Sequence, residues 1–451
     1  MGRIISLTIC ILFILYLLRN DAKRIPDISW ALWIPLLWFL IISTRPVSAW
    51  LGVSGAATSA ENSYIEGNSF ERNIDIAFMI VGMLTLLKRK TSWGNIFKNN
   101  KFIFLYVLYL LLSTLWSDYT LVSFKRWIKE LGNLIMVLII LTESNPSEAI
   151  KTMIKRAAYI LMPLSIVFNR FFHEYSRIFS VGGEPMTTGV TDHKNSLGQL
   201  CLICGLVLFW NLLILRRNKT EIPEKKEIYI HLLLLAMIGW LLHEAHCATA
   251  VGCTIIGVGM IAFLSMSSIR KNPSQIKYYV VIFAIVLIIM HLSFGLKDVV
   301  TSGLGRNSTL SGRTDIWDDV LAMKTNPLIG TGFSSFWLGN RLNFFWSKYA
   351  FRPRQAHNGY LELYINLGLI GLSLFLGLII TVFKNISQKL LSGQEYDSQI
   401  LRLTIVILYI AVNFTEANIT GFWWFVFLLV AINYSFKASQ TKVLEGLHHL
   451  Q

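Results

Sequence analysis

His357 and Asn358 are followed by Glu362 and then by Gly368 and Gly371 within a long apolar stretch. A histidine titrates near neutrality and can take the proton of an attacking hydroxyl. Glu362, a turn and a little more beyond on a similar helix face, suits a hydrogen-bonded pair with that ring. His357 reads as a catalytic base or as a packing residue, and the glycine pair as a close helix contact. Upstream, Arg313 offers a planar fork that matches a phosphate and stays charged at any working pH; a salt bridge with a nearby aspartate is the plain alternative. Asp315, Asp318 and Asp319 follow, expected in the first turn of a helix, where carboxylates offset its dipole. Asp192, His193, Lys194 and Asn195 precede another apolar run. They read as an anion or sugar site, or as a helix cap with Lys194 snorkelling to headgroups. His243, Glu244 and His246 have the types for zinc, but no third ligand stands nearby, and paired interfacial side chains or a supporting binding role fit as well.

These groups need a frame, and composition names it. Of 451 residues, 54% are hydrophobic and only 15% are charged, against about 25% in soluble proteins. A soluble enzyme is excluded. Apolar runs at residues 4–18, 28–43, 73–87, 101–116, 127–142, 152–168, 195–215, 228–243, 247–268, 277–294, 358–383, 401–415 and 418–436 are each near the length of a membrane span. Each must be helical, because an open sheet leaves backbone polar groups unsatisfied in lipid. The expectation is an all-α, polytopic integral membrane protein of about 12–13 transmembrane helices. It forms one membrane domain, residues 1–451, with a large outer loop at 295–357 and C-terminal spans at 358–436.

The net charge of +15 does not point to nucleic acid, because the cations sit in short connectors between apolar runs. Alternate threading puts Arg19/Lys23/Arg24, Lys88/Arg89/Lys90, Arg216/Arg217/Lys219, Arg270/Lys271 and Lys384/Lys389 on one side, which the positive-inside rule makes cytoplasmic. The longer segments 44–72, 169–194 and 295–357, and the turn 243–247, then lie outside. The 295–357 loop holds eight cations against four aspartates, and nine aromatics, which suits an anionic ligand, or sugar stacking and headgroup anchoring. All five cysteines fall in or beside apolar runs, so no disulfide is expected, and Cys201 and Cys204 lie inside a span. No Gly-rich nucleotide signature is present, so the substrate must carry its own activation.

The run His357-Asn358, nine residues, Gly368, two residues, Gly371 resembles the His-Asn-x9-Gly-x-x-Gly signature of the bacterial O-antigen ligase and polysaccharide polymerase superfamily. Gly312-Arg313-Thr314 with Trp317, and the stretch from Asn326 to Phe333, look like that family's lead-in. The resemblance is specific over about residues 185–383. His193 to Gly198 and Ala248-Thr249-Ala250 look most like its exopolysaccharide polymerase branch, of the succinoglycan type.

The resemblance implies a GT-C-type glycosyltransferase in the bacterial inner membrane, active on the periplasmic side without metal or cofactor. Its donor would be an undecaprenyl-pyrophosphate-linked glycan and its acceptor a second glycan. By resemblance Arg313 holds the donor pyrophosphate and His357 serves the acceptor. Glu362 orients that ring, and Lys194, His193, Asn195, His246 and Asn358 complete the substrate-binding set. The chain departs from the ligases where Ala245-His246-Cys247-Ala248 replaces a Ser-x-Ser-Arg run; His246 or Lys194 substitutes for that arginine, or the donor is held differently. Leu372 and Ser373 after Gly371, where ligases carry threonines, favour a polymerase. A ligase acting on lipid A core differs only in acceptor, and a lipid-glycan transporter would place its ionisable residues at mid-membrane. A flippase and a chain-length regulator are the expected companions.

Overall fold

The computed structural model describes residues 2–22, 28–53, 67–179, 183, 185–217, 222–276, 278, 279, 282, 283, 285 and 311–434. Its longer helices are α1 (Gly2–Ala22), α2 (Trp33–Ser43), α3 (Ser69–Leu87), α4 (Lys101–Ser113), α5 (Thr120–Leu141), α6 (Pro146–Phe171) and α7 (Lys194–Arg217). They continue as α8 (Ile222–Ala245), α9 (Ala248–Leu264), α10 (Ser311–Ala322), α11 (Gly339–Lys348), α12 (Gly359–Leu391), α13 (Tyr396–Val412) and α14 (Gly421–Ala431). A two-stranded antiparallel hairpin, β1 (Arg177–Phe179) with β2 (Pro185–Thr187), pairs Ile178 with Met186.

Every expected apolar run is a helix except 277–294, most of which lies outside the described residues together with Lys297 and Arg306. The protein is all-α and polytopic. Gly2–Ala22, Lys194–Arg217, Lys225–Ala245 and Gly359–Leu391 are long and apolar enough to cross a membrane alone. Trp93–Asn99 and Lys101–Trp116 make a pair bent by 86°, and Trp30–Ser43, Ala248–Leu264 and Gly421–Ala431 are shorter apolar helices. The cysteines are free and buried.

Polar contacts sort by side as the threading expects. Arg89 pairs with Glu143, Lys155 with Asp21 and Glu227, and both Arg217 and Arg270 with Asp397. All join segments assigned to the basic side. On the other, Arg3 meets Glu174, Arg45 reaches Thr188 and Thr191, and Arg341 pairs with Asp118.

α12 is broken. Gly368 stands at φ 65°, ψ −168° in the middle of the helix, and the segment 327–332 docks on the break. Thr331 and Gly332 donate their N–H groups to the Ile365 and Asn366 carbonyls at 3.0 and 2.8 Å. Leu369 and Ile370 donate to the Pro327 and Leu328 carbonyls at 2.9 and 3.1 Å. The polar groups freed by the break are thus re-paired inside protein, the condition for irregular backbone at membrane depth. A Cβ on Gly368 would lie 2.2 Å from Leu328, and one on Gly330 2.4 Å from Asn366. The expected helix-on-helix contact at Gly368 is therefore a loop-on-helix contact, and Gly371 restarts the helix beside Tyr109 of α4.

Above this break sits a second, small core. Ile316 and Val320 of α10, Leu342 and Phe345 of α11, and Phe336, Trp337, Ala356 and Ile365 are buried together. It fixes α10, α11 and the segment around Trp337 against the start of α12.

Candidate functional site

α12 begins at Gly359, so His357 lies just outside it. Asn358 is its N-cap: the side-chain oxygen accepts from the N–H groups of Tyr360 and Leu361 at 3.0 and 3.1 Å. That leaves its carbonyl oxygen committed to the helix end. His357 itself has φ 49°, in the left-handed region that side chains rarely occupy.

The backbone before it is held from both faces. Ala356 donates its N–H to Glu362 at 3.0 Å and its carbonyl accepts from the Trp317 indole at 2.7 Å. Glu362 also accepts from the Trp337 indole at 3.0 Å and from Asn366 at 3.0 Å. The expected His357–Glu362 pair is not formed, because the ring precedes the helix rather than lying on its face. The ring turns to Glu416, on the α13–α14 turn, whose Oε2 is 2.8 Å from His357 Nδ1.

Glu416 gathers the residues read as separate motifs. Asn195 Nδ2 donates to its Oε1 at 2.9 Å and Arg313 Nη2 at 3.3 Å, while Gln355 Nε2 donates to Oε2 at 3.2 Å. The salt-bridge partner of Arg313 is thus Glu416 and not a neighbouring aspartate. Burial would raise the Glu416 carboxyl, but the hydrogen bond from His357 and the charges of His357, Arg313 and His193 outweigh it and hold the carboxyl below its ordinary range.

His193 stands across the cleft in the opposite state. Its Nδ1 accepts the Asn195 N–H at 3.2 Å, so the ring proton of the neutral form must be on Nε2. Burial lowers its pKa, against the pull of Glu416 and Asp192. Lys194 and Asn195 open α7, and His246 ends the 243–246 turn at φ 46°, its ring 5.7 Å from that of His243.

His193, Gln355 and His357 border an open cleft of about 1230 Å³, mouth included. Its walls bring Arg126 of α5, Arg352 and Arg354 together with His193 and His357. Arg126 is set by bonds to the Ser334 carbonyl and hydroxyl at 2.7 and 3.0 Å, and Arg352 and Arg354 lie over the Trp346 ring. Ser334, Arg352 and His357 all line the cleft and all have positive φ; backbone strain of this kind concentrates at sites where geometry is over-determined.

Several of these residues escape a sequence reading. Arg126 sits one residue before an apolar run and looks like a span-end cation. Glu416 lies in a two-residue gap between runs, and Gln355 carries no charge. The only available signal for Glu416 is an acidic residue at a span end on the side assigned outward. The three aspartates are also placed differently: the described part of α10 starts at Ser311, and no acid falls in its first turn. Asp319 instead accepts from Lys348 and from the Tyr349 hydroxyl, both at 2.7 Å, tying α10 to α11.

Residues 231–376 match the sequence model of the O-antigen ligase family. The chain is also 23% identical over 344 residues to the exopolysaccharide production protein ExoQ of Rhizobium meliloti (strain 1021), covering 74% of this chain and 76% of that protein. The family segment takes in Arg313, His357, Glu362 and both glycines of the motif, while His193, Arg126 and Glu416 lie outside it. The chain is therefore a polytopic helical membrane protein that resembles, through residues 231–376, the O-antigen ligase family.

Proposed function

We propose that this protein is a membrane glycosyltransferase that polymerises lipid-pyrophosphate-linked oligosaccharide units into an exopolysaccharide or O-antigen-type chain. The observation that carries this reading is the cleft that sets His357 opposite Arg126, Arg352 and Arg354. Similarity to ExoQ, an exopolysaccharide production protein, supports it.

In the proposed step the acceptor hydroxyl oxygen bonds to the donor's anomeric carbon and gives its proton to His357. The bond from that carbon to the pyrophosphate oxygen breaks, and the electron pair leaves with the phosphate. Negative charge grows on the leaving group, where preorganised guanidinium groups stabilise it by about 3–4 kcal/mol. The base contributes about 10²–10⁴ in rate. Arg126, Arg352 and Arg354 hold the pyrophosphate with Arg313 at the rim. His193 donates from Nε2, and Lys194, Asn195 and His246 complete the binding set of this proposal. No metal takes part, since the cations supply the counter-charge.

The basic connectors support a bacterial inner-membrane protein with this cleft on the periplasmic face; a flippase would deliver the donor and a chain-length regulator would limit the product. The O-antigen ligase match favours a second reading, transfer of the glycan to lipid A core through the same site.

Purified protein in nanodiscs, given an undecaprenyl-pyrophosphate oligosaccharide, is expected to yield a ladder of longer lipid-linked glycans, unaffected by EDTA. The His357→Ala variant should bind the donor yet make no ladder. Transfer only when lipid A core is added establishes the ligase reading, and normal turnover by the variant refutes the role of His357.

A further inference from the structure

We infer that Glu416 is the positioning residue of this site: it fixes the His357 proton on Nδ1 and so turns the Nε2 lone pair toward the cleft. The inference rests on the glycosyltransferase reading above. The resemblance assigns nothing to Glu416, and the matched family segment ends well before it.

The Arg313 fork has only N–H to offer, and with the side-chain NH2 groups of Asn195 and Gln355 it converges on one carboxylate. An acceptor so engaged is ionised and carries no proton. The 2.8 Å contact with His357 Nδ1 is then a hydrogen bond only if that nitrogen carries the proton, which leaves Nε2 as the basic atom.

Glu416 can do this because its turn is braced from four helices. Its N–H donates to Val412 of α13 at 3.0 Å, and Asn418 donates to its carbonyl at 3.1 Å. Gln199 of α7 donates to Asn418, Glu130 of α5 accepts from Gly421, and Gly359 of α12 donates to Asn413. His193, with its proton on Nε2, shows the reverse arrangement; the two rings offer the cleft one acceptor and one donor. The other charged groups around His357 are Glu362 from α12, Arg313 from α10, His193 and Lys194 at the start of α7, and Arg126, Arg352 and Arg354 in the cleft. Among the described residues, only Glu416 touches the ring as an anion.

The test uses full-length protein in nanodiscs with Glu416→Gln and Glu416→Asp. Glu416→Gln should lower kcat by at least about tenfold, up to about 10⁴-fold, move the acid limb of the kcat profile to lower pH and change donor KM by less than about threefold. Glu416→Asp, which keeps the charge, should restore the limb. A kcat loss with an unmoved limb, or an equal rise in KM, would reduce Glu416 to a structural brace. A second readout needs no turnover: carbethoxylation of His357 by diethyl pyrocarbonate, followed against pH by peptide mass spectrometry. Its midpoint should fall in Glu416→Gln, and an unchanged midpoint overturns the inference. If wild-type protein fails to transfer glycan while this midpoint shifts, the proposed function fails and the Glu416–His357 contact stands.

Discussion

The Glu362 carboxylate binds the backbone N–H of Ala356, the residue before His357, at 3.0 Å. A buried anion six residues ahead thus sets the strained approach to His357 through the chain rather than through the ring.

Removing that anion should therefore act on the frame. Glu362→Ala leaves the Trp337 indole and the Ala356 N–H without their acceptor, at about 1–3 kcal/mol each. Thermal unfolding in detergent should show a clear drop in midpoint. Glu362→Gln, which keeps one acceptor oxygen, should fall between it and wild type and retain more transfer. Equal midpoints for all three would show that the network carries no stability.

The arginines separate by readout. Arg352→Ala and Arg354→Ala each remove a charged hydrogen-bonding group worth about 1.5–3 kcal/mol, so donor affinity should fall by about tenfold or more with little change in kcat at saturation. Arg313→Lys keeps charge and loses the fork, and should lose most turnover. Near-normal polymer from Arg313→Lys at equal expression would leave Arg313 with its Glu416 salt bridge alone.

At Gly368 the cause is steric. A Cβ there meets the Leu328 backbone at 2.2 Å and forces a side chain to φ 65°. Gly368→Ala should destabilise by several times the ~1 kcal/mol typical of a point change and depress folded yield. Gly377→Ala, whose Cβ comes no closer than 3.2 Å to the Phe102 ring edge, is the control in the same helix. Comparable yields for the two would refute the docked break.

Acid should loosen the surroundings of the cleft in two stages. The lowered His193 pKa means the folded state binds its proton less readily than the unfolded state. Its contribution is present above the ordinary value of about 6.5 and is lost as pH falls below it. The lowered Glu416 carboxyl gives stability above its ordinary range near 4.5, lost as pH falls further, through its folded value. Unfolding midpoints measured from pH 8 to 4 should therefore decline first near 6.5, and His193→Gln should remove that first decline. Persistence of the first decline in the variant would assign it to another group.

Which parts were readable in one dimension follows from the range of the forces involved. Spans are local: a run of apolar residues must be helical in lipid whatever its neighbours do, so α1 to α9 and α12 to α14 follow from hydropathy, and the cations at their ends sort the two faces, whereas α10 and α11 lie in what reads as a loop. The motif around His357 is local too, since Asn358 caps the helix it opens. The pairing of His357 is not local. Helix periodicity places Glu362 beside it, but the helix starts two residues after the ring, and the carboxylate that meets His357 comes from a turn 59 positions later. Arg126 reaches Ser334 across 208 positions, and the break at Gly368 exists because a distant loop supplies its hydrogen bonds. Chemical type and spacing singled out His357 and Arg313; which carboxylate meets His357, and that Arg126, Arg352 and Arg354 share its cleft, depended on how the helices pack.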